Sequence, residues 1–121
     1  MSKVLDPTTQ ASLPAMFFAQ ASRLTDRPFL WTKVDGVYRP QTWAAVADRV
    51  SAVARGLQAA GVKAGDRVML VAENRPEWLI ADIAIMSIGA IAVPAYTTNT
   101  SVNHLHIMND SGARHAIVST P

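Results

Sequence analysis

Few residues of this sequence have the types and spacing to do chemistry. They are the polar run Tyr96-Thr97-Thr98-Asn99-Thr100, the pair His104 and His106, the lone carboxylate Asp82, and the glycines Gly56 and Gly61 ahead of Lys63. The two glycines have the spacing of a phosphate-binding loop, whose backbone N–H groups would cradle a nucleotide. Lys63 is misplaced for such a loop, no Ser or Thr follows it, and the glycines precede a strand instead of following one. That reading is rejected, and no G-x-G-x-x-G occurs either. His104 and His106 invite a metal, but residues i and i+2 of a helix face different ways, and no carboxylate or cysteine pattern joins them. They read as solvated helix histidines, and no metal site is expected. Asp82 lies in an apolar helix without an identifiable acid–base partner. A helix cap or an ion pair with an arginine is its expected role, and no catalytic residue is assigned. The polar run has the best positional argument, because it leaves the carboxyl end of an expected parallel strand, where open α/β sheets bind ligands. Tyr96, Thr97, Thr98 and Asn99 are therefore the candidate cofactor-side loop. Their plainer role is a hydroxyl-rich lead-in to the next helix, with Thr100 or Ser101 as its cap.

The elements that must position these residues are organised around Glu73 to Tyr96. Pro76 and Glu77 suit the first turn of a helix, where a missing N–H costs nothing and a carboxylate meets the positive end of the dipole. From Trp78 the apolar residues fall on nearly every side, which predicts a helix buried on most of its surface. Gly89 allows a tight exit, and Ile91-Ala92-Val93 reads as a short buried strand closed by Pro94.

Upstream, Ser12-Leu13-Pro14 starts a helix with Leu13, Phe17, Ala21 and Leu24 on one face, stopped by Asp26-Arg27-Pro28. Asp35-Gly36 between two β-rich runs predicts a hairpin over residues 29–39, because a type I′ turn needs positive φ at both positions. Pro40 should end its second strand or push it to an edge. Thr42 caps a helix whose face is Trp43, Val46, Val50, Val53 and Leu57, with Gly61 as its left-handed stop. Residues 67–72 read as a buried strand, Ser101 to Asn109 as a helix ended near Gly112, and residues 115–119 as a last core strand. The order from residue 67 is β-α-β-α-β, which implies parallel strands joined by right-handed crossovers. The fold class is thus α/β: a β-hairpin, then a parallel sheet with flanking helices. Two parts are expected within it, a helix–hairpin–helix over 13–60 and a parallel unit over 67–119.

Bulk properties narrow the function. The chain has 121 residues, half of them hydrophobic, and no cysteine, which excludes disulfide frameworks and thiolate metal sites and fits a reducing, cytoplasmic compartment. A net charge of +2 with no basic run gives nucleic acid little to bind. Trp31, Trp43 and Trp78 are not interleaved with basic residues as a stacking surface would require. The N-terminus shows no signal-peptide pattern, and Leu79 to Ala95 is too short for a membrane span, with Asp82 interrupting it. A chain ending on a freshly laid strand is expected to be a truncated piece of something longer.

With these residues in place, the sequence from Leu13 to Pro121 resembles the N-terminus of an AMP-forming acyl-CoA synthetase, of the adenylate-forming superfamily. The resemblance is carried by Asp26-Arg27-Pro28, the hairpin leading to Gln41-Thr42-Trp43, and Val53-Ala54-Arg55-Gly56-Leu57. It continues through residues 61–68 and ends with Gly89-Ala90-Ile91-Ala92-Val93-Pro94. Glu73-Asn74-Arg75-Pro76-Glu77-Trp78 and Val93-Pro94-Ala95-Tyr96-Thr97-Thr98 look most like the long-chain fatty acyl branch. The resemblance implies fatty acid, ATP with Mg²⁺, and coenzyme A as substrates and cofactors of a full-length ligase. It implies a Thr/Ser/Gly-rich phosphate loop ending in lysine, an acidic ribose contact and a C-terminal lysine, none of which these residues contain. The chain alone is therefore expected to be inactive. Some relatives reach coenzyme A phosphates with a basic residue after the Val-Pro strand, but no Lys or Arg occurs between Arg75 and Arg114. Dimerisation and peripheral membrane association also occur in the family. Rival expectations are a ligase for a short-chain, aryl or amino acid, a stand-alone α/β binding module, and a purely structural or oligomerising role.

Overall fold

The computed structural model describes residues 6–120; residues 1–5 and Pro121, which bear on a leader peptide and on the ends of the 1–121 unit, lie outside the described residues. After a 3-10 turn at Pro7–Thr9, α1 runs over Leu13–Leu24, with the Ser12 hydroxyl accepting the Ala15 N–H at 3.2 Å. Phe17 and Ala21 are buried, but Leu13 is 62% exposed, so the expected stripe is covered only along its middle. The hairpin follows as β1 (Pro28–Val34) and β2 (Val37–Thr42), with Asp35 and Gly36 at φ 51° and 79°, as its tight turn demands. β2 does not stop at Pro40, which pairs opposite Trp31. Each strand of a two-stranded sheet has a free edge, and Pro40's missing donor faces that way at no cost to the ladder.

Thr42 ends β2 and starts α2 (Trp43–Ala59), its hydroxyl accepting the Ala45 N–H at 3.1 Å. The buried face is Val46, Val50 and Ala54, with Trp43, Val53 and Leu57 half-buried beside it. The rings of Phe29 and Trp43 stack 3.7 Å apart and hold the hairpin against α2. α3 (Pro76–Ser87) completes this layer: Ile80, Ile83 and Ala84 pack with Phe17, Val46, Val50 and Ala54. On its other side Ile85 packs with Val62, Val68 and Ala90 against the sheet. Two cores meet on one helix, which is why its sequence is apolar all round.

The sheet consists of β3 (Arg67–Val71), β4 (Ile91–Pro94) and β5 (His115–Val118), all parallel, in the order β4-β3-β5. β3 is the central strand, with Val68, Met69 and Leu70 buried. Burying each such side chain contributes about 1.5–3 kcal/mol. The expectation that residues 91–93 and 115–119 are buried core strands is corrected here. Both are edges of the described sheet, neither contains a buried residue, and Ile91 and Val118 are 50% and 53% exposed. Between them α4 (Ser101–Ser111) starts at Thr100, whose hydroxyl accepts the Asn103 N–H, and stops at Gly112 with φ 75°. It too buries nothing. Among the described residues no helix is long and apolar enough to cross a membrane.

Candidate functional site

The carboxyl ends of the three strands gather at one edge of the sheet. Register fixes this: Leu70 of β3 lies opposite Pro94 of β4 and Ile117 of β5. The Ala95 N–H bonds the Leu70 carbonyl at 3.0 Å, and the Ser119 N–H bonds the Val71 carbonyl at 3.1 Å, so pairing runs just past the strands. The chain then opens into loops. After β4, the Asn99 N–H donates to the Tyr96 carbonyl at 3.1 Å and closes residues 96–99 into a turn, before Thr100 caps α4.

Two clefts open between these loops. One, of about 590 Å³, lies between Glu73, Asn74 and Trp78 on one side and Pro94, Ala95, Tyr96 and Thr97 on the other. The second, of about 380 Å³, lies over β3 and β5 and is lined by Glu73, Thr97, Ser101, His104 and Ser119 among others. Glu73 and Thr97 border both, so the two form one continuous rim. Of the four residues singled out in the loop, Tyr96 and Thr97 line a cleft, with Tyr96 79% exposed. Thr98 and Asn99 line neither; the turn carries them away from the rim.

The electrostatics of the rim centre on Glu73. Its carboxylate is held below the usual range by its own backbone N–H, then by the Ser119 hydroxyl, which donates at 3.1 Å, and by Arg75. Arg75 reaches both sides, with Nη1 3.7 Å from Glu73 and Nε donating to Glu77 at 3.0 Å. Glu77 is lowered chiefly by that Arg75 hydrogen bond, with Arg49 adding an ion pair at 3.7 Å. All four side chains are about half exposed, so the network orients the loop more than it stabilises the fold. Its positive charge is already matched by carboxylates. The clefts thus offer an aromatic and apolar wall, hydroxyls and one anchored carboxylate, and no free cation for phosphate. Among the described residues no group of three or more His, Cys, Asp or Glu side chains could hold a metal ion.

His104 reaches the second cleft with its Nδ1 buried and unpaired, while His106 does not border it. Asp82 lies elsewhere, in an apolar groove of about 410 Å³ between α1 and α3 that includes Met16, Phe17 and Phe29. It neither caps a helix nor appears in any ion pair among the described residues, which corrects both expected roles. Burial in that groove raises its carboxyl above the ordinary value. Glu73, Trp78 and Ser119 were not singled out as site residues by sequence. The Glu73–Ser119 contact joins residues 46 apart, and only the pairing of β5 on β3 makes it.

A match to the family described as AMP-binding enzyme spans residues 17–121. The long-chain-fatty-acid–CoA ligase FadD15 of Mycobacterium tuberculosis is 36% identical over 102 residues, 84% of this chain and 17% of that protein. A feruloyl-CoA synthase of Amycolatopsis is 40% identical over 81 residues, 66% of this chain and 16% of that protein. The chain therefore spans about a sixth of the length of these curated relatives. Among solved structures, the Klebsiella oxytoca NpsA N-terminal subdomain matches with TM-score 0.81 at 29% identity, over 91% of this chain and 28% of that one. The fatty acid AMP ligase from Legionella pneumophila matches with TM-score 0.83 over 95% of this chain and 21% of that one; at 22% identity, that likeness concerns the fold alone.

Proposed function

This chain belongs to the AMP-binding enzyme family, and we propose that it is the N-terminal part of the large domain of a long-chain-fatty-acid–CoA ligase. In the complete ligase a fatty acid carboxylate oxygen attacks the α-phosphorus of ATP. The bond to the β-phosphate breaks, leaving an acyl-adenylate and pyrophosphate. The coenzyme A sulfur then attacks the acyl carbon, gives up its proton, and displaces AMP. The observation that carries the reading is the identity to the mycobacterial ligase across 84% of this chain.

Within that enzyme these residues supply a wall and not the reacting groups. The cleft beside Tyr96 and Thr97 has an aromatic ring on each side, Trp78 and Tyr96, and its nearest cation, Arg75, is engaged by Glu73 and Glu77. Such a surface suits the neutral portion of coenzyme A or an acyl chain better than a phosphate. Tyr96 and Thr97 face that ligand; Thr98 and Asn99 shape the turn behind them. Among the described residues the clefts offer one carboxylate, Glu73, already engaged by the Ser119 hydroxyl and Arg75, so they do not fit Mg²⁺. The same proposal gives a cytoplasmic location, with membranes touched only at the periphery.

The feruloyl-CoA synthase likeness favours a second reading, an aryl-acid ligase of the same mechanism. Both readings make the isolated chain catalytically silent. Pyrophosphate release from ATP with palmitate or ferulate should not exceed a no-protein control. Turnover by the chain alone would overturn the proposal. Replacing the matching segment of the mycobacterial ligase by this chain should restore activity, and Tyr96→Ala in that chimera should raise KM for coenzyme A or the acid several-fold. A folded but inactive chimera would count against it.

A further inference from the structure

At the opposite end of the sheet, strand register sets two arginines side by side. Val68 of β3 pairs with His115 of β5, and Arg67 and Arg114 each come one residue earlier. Like charges on neighbouring strands repel. Neither guanidinium has a carboxylate within ion-pair distance among the described residues, where the ion pairs involve only Arg49 and Arg75. Both line a cavity of about 440 Å³ together with Lys63, Asp66 and His115.

The neighbouring groups do not cancel this charge. Asp66 is the one carboxylate in the lining, and its Oδ2 already accepts the Lys63 backbone N–H at 2.8 Å. Gly61 and Gly112, the stops of α2 and α4, also border the cavity and bring two helix carboxyl ends to it. Each such end is worth about −0.5 charge. Three cations against one carboxylate and two helix ends leave a net charge of about +1. His115 adds a ring whose Nδ1 is buried and has no hydrogen-bond partner.

We propose that this cavity at the amino ends of β3 and β5 binds a phosphate group, held by Arg67 and Arg114 with Lys63 at its rim. The guanidinium fork matches phosphate oxygens two at a time, and a bound dianion removes the repulsion that register imposes. The site faces away from the Tyr96–Thr97 cleft and does not depend on the ligase reading. Its phosphate can come from a free phosphomonoester or from a phosphomonoester lipid headgroup.

The test uses the 121-residue chain, titrated with inorganic phosphate at constant ionic strength with chloride as the replaced anion. Amide resonances of residues 61–67 and 112–115 should shift and saturate. Arg67→Gln with Arg114→Gln should weaken binding by about tenfold or more, with the far-ultraviolet circular dichroism unchanged. Arg114→Gln alone gives the same direction should the double variant fold poorly. Arg55→Gln removes a charge from α2 outside the cavity and should leave binding as it was. Vesicles of phosphatidic acid, against phosphatidylcholine, separate the two sources: sedimentation with the former and no response to free phosphate assigns the headgroup. Saturable binding of free phosphate alone assigns the soluble ester. A response that chloride reproduces, that Arg55→Gln weakens equally, or that survives loss of both arginines overturns the site.

Discussion

Asp82 is a carboxylate set against Met16, Phe17, Phe29 and Ile83, with no hydrogen bond or ion pair described for it. Burial raises its carboxyl above the ordinary 3.8, so the fold prefers the protonated form. A group raised in the folded state contributes its stability fully below the unfolded value and loses it as pH rises through the folded one. At neutral pH Asp82 therefore costs stability. Asp82→Asn should stabilise the chain there by no more than about 1 kcal/mol, because the carboxylate still meets water. The gain should vanish below pH 3.8. Denaturant melts at the two pH values measure it, and destabilisation at neutral pH would reveal a partner that the geometry does not show. Glu73 and Glu77 shift the other way, held ionised by their hydrogen bonds, so their contribution fades as pH falls. None of this was legible in the sequence. The sequence marked Asp82 as the odd charge in an apolar helix, but its surroundings come from α1 and β1, far away in the chain.

The elements divide by how local their determinants are. Ser12, Thr42 and Thr100 each accept an N–H from the first turn of the helix they start, a contact decided within three residues. Asp35-Gly36 sets the hairpin by backbone conformation alone. Such signals can be read directly. Burial of the strands could not be, because an apolar run of four residues reads the same at the centre of a sheet as at its edge. Likewise Tyr96 and Thr97 reach the cleft and Thr98 and Asn99 do not because of a turn whose bond was invisible in the polar composition. α4 shows what weak packing means for an element: it is well capped at both ends yet buries no residue, with Val102 75% exposed. Its amides should exchange through local opening that costs no more than about 2 kcal/mol, while those of β3 and α3 wait for global unfolding. Equal protection of α4 and α3 would show that another surface covers α4.

At the scale of the molecule, two sheet edges and several large apolar side chains meet solvent. Ile91 on β4, Val118 on β5 and Leu105 on α4 are all at least half exposed, and Trp31 and Tyr38 stand out on the hairpin. Open edges pair with other chains, and contiguous apolar surface draws partners. The chain should therefore associate at micromolar concentration, with light scattering giving a mass above the 13.0 kDa protomer. Lys33, which lies over the Tyr38 ring, and Arg39 make the hairpin a poorer edge than β4 or β5. A monomer with no dye-accessible apolar surface would show that these residues close their own core.

The strand order β4-β3-β5 also sets a schedule. A ribosome delivers the middle strand first, with both of its hydrogen-bonding flanks bare. One flank is filled only after α3 has been made, the other only after α4. At roughly 5–20 residues per second, the most buried strand of the sheet waits some seconds for its second neighbour. Until β4 emerges β3 has no strand beside it, and α3, which packs on α2 and sets Ile85 against Val68, is the first cover delivered after it. The doubly apolar helix thus acts in time as well as in space, sheltering a nascent strand until its partners emerge.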